Sequence, residues 1–94
     1  MNQAKRYQVN PVVSCGDESD GAVLFHPDAD ETIIVNLTGR TLWHFLEAPH
    51  TVAEMGQHLK AFYPDVAVDQ AADDARQFVE DLLPDFLLEA GDHD

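Results

Sequence analysis

The hydrophobic pattern of this chain changes its period at residue 38. Before that point, three β-favouring runs are separated by turn residues: 7–15, 22–26 and 32–36. After it, apolar residues recur at the three- and four-residue spacing of helices. Strands and helices that are segregated along a chain indicate an α+β fold. We therefore expect a three-stranded antiparallel sheet followed by three helices, which is a winged helix-turn-helix-like arrangement.

Turn residues set the limits of the predicted strands. Pro11 lies inside the first run, and because proline donates no ladder hydrogen bond, that strand should be bent or lie at an edge. The segment "GDESDG" at 16–21 is expected to be a turn or loop. The segment "PDADE" at 27–31 has the composition of a hairpin turn. We expect the three strands to form an antiparallel meander.

The first two helices have clear boundaries. The first is predicted over 38–48 and ends at Pro49. Its apolar stripe contains Leu42, Trp43 and Leu46, with Phe45 as an optional further member and Trp43 as a core anchor. The second begins in "TVAE" at 51–54, which has the form of a capping box, and Pro64 ends it. Its apolar face consists of Val52, Met55, Leu59 and Phe62.

A third helix is expected to begin near Asp69, which is a favourable N-cap residue. Its apolar stripe contains Val68, Ala71, Ala72, Ala75, Phe78, Val79, Leu82 and Phe86. The opposite side is acidic. Pro84 should kink or restart this helix, because it lacks the N–H and clashes with the preceding turn. The segment 89–94 is expected to be a frayed tail.

Composition limits the partners. The 94 residues are expected to form a single domain, 1–94, with a core over about 7–90. Eighteen acidic and five basic residues give a net charge of -13. Such a chain repels nucleic acids and anionic membranes and attracts basic surfaces. There is no apolar run of the ~20 residues that a membrane span needs, and the N-terminus does not resemble a signal peptide. One cysteine permits no internal disulfide and fits a reducing cytoplasm.

No constellation of residues indicates catalysis. The sequence contains no phosphate-binding glycine loop and no hydrolase or metalloprotease motif. The histidines have no ligand spacing with one another or with Cys15: His26, His44, His50, His58 and His93. Cys15 has no nearby base and is expected to be an inert thiol. We therefore expect no enzyme activity, no cofactor and no metal site.

Several segments in a fixed order resemble the PqqD-like family. They are "GAVLFHPDADETIIVNLTGRTLWHFLE", "TVAEMGQHLKAFYPDV" and "FVEDLLPDFLLEAG", and together they cover about residues 20–90. The resemblance implies a non-catalytic peptide chaperone, or recognition element, for ribosomally made precursor peptides. Such a protein binds the leader of the precursor and presents its core to a modifying enzyme. That enzyme is a radical S-adenosylmethionine protein or a leader peptidase.

The resemblance also implies where the peptide binds. The leader adds as an extra strand beside the third strand, in a groove bounded by the third helix. Alternation along the strand directs Ile33, Val35 and Leu37 toward the core. The groove candidates are Thr32, Ile33, Ile34, Val35 and Asn36 on the strand, with Asp73, Arg76, Gln77 and Glu80 on the helix. The alternative is a winged-helix DNA-binding regulator, which the lone Arg76 among the acids of the third helix disfavours.

Overall fold

The structure is a computed structural model that describes residues 5–90. The strands are β1 Arg6–Val9, β2 Ser14–Glu18, β3 Gly21–His26, β4 Glu31–Asn36, β5 His50–Thr51 and β6 Leu87–Glu89. The helices are α1 Leu37–Phe45, α2 Val52–Phe62 and α3 Val68–Leu82. The strands form two three-stranded antiparallel sheets, in the orders β5-β1-β6 and β2-β3-β4.

The predicted α+β fold and its antiparallel meander are confirmed. The meander is the sheet β2-β3-β4, and three helices follow it. The turn over 27–30 is also as predicted, and Asp30 adopts a φ of 54° there, a conformation that aspartate tolerates better than most residues. The expected loop at 16–21 is wrong in extent, because β2 continues to Glu18 and only Ser19 and Asp20 form the turn.

The expected single strand over 7–15 is wrong, because the chain there forms two strands in different sheets. The chain turns at Pro11 and Val12, where Asn10 accepts hydrogen bonds from Val12 N at 3.1 Å and from Val13 N at 3.0 Å. Proline cannot continue a ladder, so β1 ends before it and β2 begins after it. β1 then pairs with β5 and β6 instead of joining the meander.

The second helix matches its prediction. Thr51 accepts from Glu54 N at 3.1 Å, and Glu54 accepts from Thr51 N at 3.0 Å, which completes the capping box. The helix ends at Phe62, before Pro64. The first helix is shorter than predicted, since it ends at Phe45.

Both ends of the third helix differ from the prediction. Its N-cap is Ala67, without a side-chain cap, and Asp69 lies in the first turn. Near Pro84 the chain neither kinks nor restarts a helix. It turns into β6, where Leu87–Glu89 pair with β1. The frayed tail was predicted to begin at residue 89, which is too early because Glu89 belongs to β6. Residues 91–94 of that tail lie outside the described part of the chain.

The core lies between the helices and the two sheets. Trp43 is a core anchor as predicted, with 3% of its surface exposed. The other large buried side chains are Leu24, Leu42, Leu46, Met55, Leu59, Leu82, Phe86 and Leu87. The prediction that Phe62 and Val68 lie in buried apolar stripes is wrong, because they are 60% and 68% exposed. Both lie at helix ends, where the stripe passes beyond the neighbouring elements.

Candidate functional site

The fourth strand has a free edge. β4 pairs with β3 on one side, and the sheet order β2-β3-β4 gives it no second neighbour among residues 5–90. Alternate residues along Glu31–Asn36 therefore present unpaired backbone N–H and C=O groups on the other side. Such an edge can accept an additional strand.

The two faces of β4 have different environments. Ile33 and Val35 are half-buried and pack against the core, as predicted. Thr32, Ile34 and Asn36 are exposed, and 78% of the surface of Ile34 is accessible. An added strand would therefore lie beside one row of β4 side chains that faces the core and another row that faces solvent.

Leu37 does not fill the core with its neighbours. It is 38% exposed and is the first residue of α1. The strand alternation that predicted a buried Leu37 ends one residue earlier, because the backbone has already entered the helix. The prediction for this residue is wrong.

Asn36 has a role that strand reasoning did not identify. Its side-chain oxygen accepts from Gly39 N at 2.9 Å, so Asn36 is the N-cap of α1. A Cβ on Gly39 would lie 2.7 Å from Val35 Cβ, so only glycine permits α1 to approach β4 this closely. The signal was available in "NLTG", since asparagine is a preferred N-cap residue.

The four helix candidates all lie on the solvent side of α3. Asp73, Arg76, Gln77 and Glu80 are exposed. The buried stripe of α3 consists of Ala71, Ala75, Val79 and Leu82. At about 3.6 residues per turn, the four candidates lie opposite that stripe. Arg76 forms an ion pair with Asp73, and Gln77 donates to Asp81 at 2.9 Å. The side chains of Asp73, Arg76 and Gln77 are therefore already engaged along the helix.

The flanks of α3, unlike its solvent face, adjoin the rest of the domain. One flank faces α2, where a Cβ on Gly56 would meet Ala72 Cα at 3.6 Å. By helical phase, Asp74 and Phe78 lie on the other flank. Phe78 is half-buried and packs against the same core as Ile33. Sequence reasoning placed Phe78 in the core stripe and did not consider it as a groove residue.

A cavity of about 630 Å³ lies between α1 and α2 and not at the free edge of β4. Its lining includes Phe45, His58 and the exposed Phe62. Phe45 stacks between His50 and His58, with ring centroids 3.8 and 4.0 Å away. A strand-addition site uses backbone groups along an edge and needs no deep cavity, so we assign the cavity no part in it.

A polar cluster lies at the other edge strand of the same sheet. Ligand atoms of Cys15, Asp17 and His44 lie within 4.8 Å of one another. His44 Nε2 is 2.8 Å from Asp17 Oδ1, and His44 Nδ1 is 2.8 Å from Glu47 Oε2. No local pattern predicted this cluster, because Asp17 and His44 are 27 positions apart.

The electrostatics of the cluster follow from these contacts. Hydrogen bonds to Glu47 and Asp17 raise the pKa of His44, and the hydrogen bond from His44 lowers the pKa of Asp17. Burial, with the adjacent Asp17 carboxylate, raises the pKa of Cys15 to about 11. Cys15 is therefore a protonated thiol at neutral pH, and a nucleophilic role has no support.

These features define a class of protein: a small α+β domain with a β-edge that is open to an extended chain. No described helix has the length and apolarity needed to cross a membrane. The family model for "Coenzyme PQQ synthesis protein D (PqqD)" matches residues 21–88, and the chain belongs to that family.

A solved structure supports the fold. It is described as "TbiB1 in Complex with the TbiA(beta) Leader Peptide" and is 23% identical in sequence to this chain. The match covers 93% of this chain and 99% of that chain, with a TM-score of 0.72. A comparison with curated proteins found no match.

Proposed function

We propose that this protein is a non-catalytic peptide chaperone that binds the leader of a ribosomally made precursor peptide. The observation that carries the proposal is the free edge of β4 in a member of the PqqD family. The similarity to a fold that was solved with a leader peptide supports it. The bound leader would extend the sheet to the order β2-β3-β4-leader.

The groove is proposed to lie along Glu31–Asn36. Side chains alternate along an extended peptide, so every second leader residue would lie beside Ile33 and Val35, which face the core. The residues between them would lie beside Thr32 and Ile34 on the solvent side. Backbone hydrogen bonds would supply affinity, and the core-facing row would supply specificity.

The third helix is proposed to form the far wall of the groove. Phe78 offers an apolar surface on the flank away from α2, and Asp74 adds a charge beside it. Asp73, Arg76, Gln77 and Glu80 lie farther round the helix. They are better suited to charged contacts at the rim or with a second protein than to the floor of the groove.

The protein is proposed to act by presenting the bound precursor to a modifying enzyme, such as a radical S-adenosylmethionine protein or a leader peptidase. Holding a substrate beside an enzyme raises its effective concentration and limits its orientations. Neither effect needs a catalytic group in this chain. The single cysteine fits a reducing cytoplasm as the place of this reaction.

Nuclear magnetic resonance provides the direct test. The ¹⁵N-labelled protein is titrated with a synthetic peptide that spans the N-terminal half of a candidate precursor. We expect the largest amide shifts in β4 and around Phe78. Shifts confined to α2 or to the cavity beside Phe45 would contradict the proposed edge. A DNA gel-shift assay at low and high salt tests the winged-helix alternative.

Substitutions at Ile34 separate backbone from side-chain recognition. Ile34→Pro strains the strand and removes an N–H, whereas Ile34→Ala keeps the backbone and shortens an exposed side chain. Loss of one ladder hydrogen bond corresponds to about tenfold weaker binding. We expect at least that loss for Ile34→Pro and a smaller effect for Ile34→Ala. Unchanged leader affinity in a folded Ile34→Pro variant, as judged by circular dichroism, would refute strand addition.

A further inference from the structure

The convergence of three different ligand types at β2 is not explained by peptide binding. Cys15 and Asp17 are two positions apart on β2, so both project from the same face of the sheet. Their partners on β3 are Leu24 and Ala22, which are fully buried. That face is therefore the inner one, and α1 covers it and brings His44 to Asp17.

We propose that Cys15, Asp17 and His44 form a zinc-binding site, with Glu47 orienting the imidazole of His44. Thiolate, imidazole and carboxylate are the three side-chain ligand types that zinc accepts in proteins. The site lies on the β2 side of the sheet, across β3 from the free edge of β4. The proposal is therefore independent of the proposed peptide-binding function.

Two of the three distances between ligand atoms can be compared with those of a tetrahedral site, and the third is below 4.8 Å. Zinc bonds of about 2.3 Å to sulfur and about 2.1 Å to oxygen place those two ligand atoms about 3.6 Å apart. Cys15 Sγ and Asp17 Oδ1 are 3.5 Å apart. For nitrogen and oxygen ligands the same geometry gives about 3.3 Å, against 2.8 Å between His44 Nε2 and Asp17 Oδ1. A rotation of the exposed His44 side chain that moves Nε2 a few tenths of an ångström away from Asp17 accommodates the ion.

The hydrogen bonds of His44 define which nitrogen faces the ion. Glu47 accepts from Nδ1, so Nε2 points at Asp17. A carboxylate that holds the second nitrogen of a histidine is the usual support of a metal-binding imidazole. In the metal-free protein one proton lies between Nε2 and Asp17 and the Cys15 thiol carries another. Zinc would displace both protons to solvent, because it binds the imidazole nitrogen and the thiolate in their deprotonated forms. The side chains of His44 and Asp17 are 42% and 54% exposed, so the ion has access.

Zinc binding would crosslink two elements of the fold and so stabilise it. Three protein ligands leave one position for water or for a ligand from another protein. The ion would connect β2 to α1 across the inner face of the sheet. Binding to the folded state alone stabilises it by mass action, so zinc should raise the melting temperature.

Metal titrations test the site. The full chain is stripped with a chelator, kept reduced with a phosphine, and titrated with Zn²⁺ by calorimetry and with Co²⁺ by absorption. We expect one zinc per chain and a thiolate-to-cobalt charge-transfer band in the near ultraviolet. Mg²⁺ controls for general attraction to the acidic surface, and we expect it to produce no displacement of Co²⁺.

Variants identify the ligands. We expect Cys15→Ser to abolish the charge-transfer band, and His44→Gln to weaken zinc binding by at least tenfold. Loss of a supporting carboxylate typically weakens a metal site about 10–100-fold, and we expect this of Glu47→Ala. His58→Gln and Asp65→Ala remove similar groups elsewhere and should leave binding unchanged. Absence of the cobalt band, or unchanged zinc affinity in both Cys15→Ser and His44→Gln, would overturn the proposal.

Discussion

Trp43 shows how much of the stability of a small domain can depend on one residue. It is 3% exposed in a core that joins α1 to the other helices and both sheets. Replacing a buried aromatic residue by alanine costs about 3–5 kcal/mol, a large share of the 5–15 kcal/mol that is typical of a domain. We expect Trp43→Ala to lose that amount of unfolding free energy, measured by urea denaturation.

The matched control is Phe62→Ala, whose ring is 60% exposed and whose loss should cost far less. We expect Trp43→Ala to weaken leader binding only to the extent that it populates the unfolded state. A variant with a normal urea midpoint that no longer binds the leader would mean that Trp43 contacts the peptide and that the groove lies elsewhere.

His58 should make the protein sensitive to mild acid. Burial against Phe45 lowers its pKa, and nearby His50 adds to the effect. Below the unfolded pKa of about 6.5, the unfolded chain takes up a proton that the folded chain resists. Stability contributed by neutral His58 is therefore present above about pH 6.5 and is lost as the pH falls through the lowered folded pKa.

The measurement is the urea midpoint of wild type and His58→Gln at about pH 7.5 and about pH 5, on either side of the unfolded pKa. Glutamine cannot be protonated, so we expect the variant to lose less stability than wild type over this interval. The other groups around the ring, His50 and Glu54, are unchanged in the variant. Equal losses in the two proteins would contradict the assignment.

At the scale of elements, local signals were sufficient only where a boundary depends on a few adjacent residues. The start of α2 followed from Thr51 and Glu54, and the meander followed from turn residues. β5 and β6 have two and three residues and exist because β1 pairs with both. The pairing of Tyr7 with Glu89 joins opposite ends of the chain, so no sequence window contains it.

The cap of α2 can be tested without disturbing the core. Thr51→Ala removes the oxygen that accepts from Glu54 N, and such losses cost about 0.5–2 kcal/mol. We expect a decrease of this size in unfolding free energy, measured by urea denaturation. Thr51→Ser keeps the hydroxyl and should retain most of the stability. Equal losses in the two variants would attribute the effect to the threonine methyl group.

At the scale of the whole molecule, family resemblance indicated the edge of β4, but it did not determine which side chains lie near it. Asn36 is a helix cap, and the four helix candidates face solvent. The cluster of Cys15 and His44 exists only after the chain has folded. Such convergence depends on the packing of α1 over the sheet, which no local pattern in the sequence encodes.

The net charge of -13 should control the rate at which the protein meets its partners. Five acidic residues surround Arg76 on α3: Asp69, Asp73, Asp74, Glu80 and Asp81. Because Arg76 is already paired with Asp73, this surface is predominantly negative. We expect it to attract a basic face of the leader or of the modifying enzyme, and the attraction should speed association rather than dominate affinity.

Stopped-flow binding of the leader or the enzyme at increasing salt provides the measurement. The Debye length falls from about 30 Å at 0.01 M to about 8 Å at 0.15 M salt, so we expect the association rate to fall about tenfold over this range. The double variant Asp73→Asn/Glu80→Gln should make the association rate less dependent on salt. The control is the double variant Asp65→Asn/Asp85→Asn, which removes the same charge away from α3 and should have a smaller effect. An association rate that does not respond to salt would leave the acidic surface with no part in steering, because screening acts on any attraction between exposed charges.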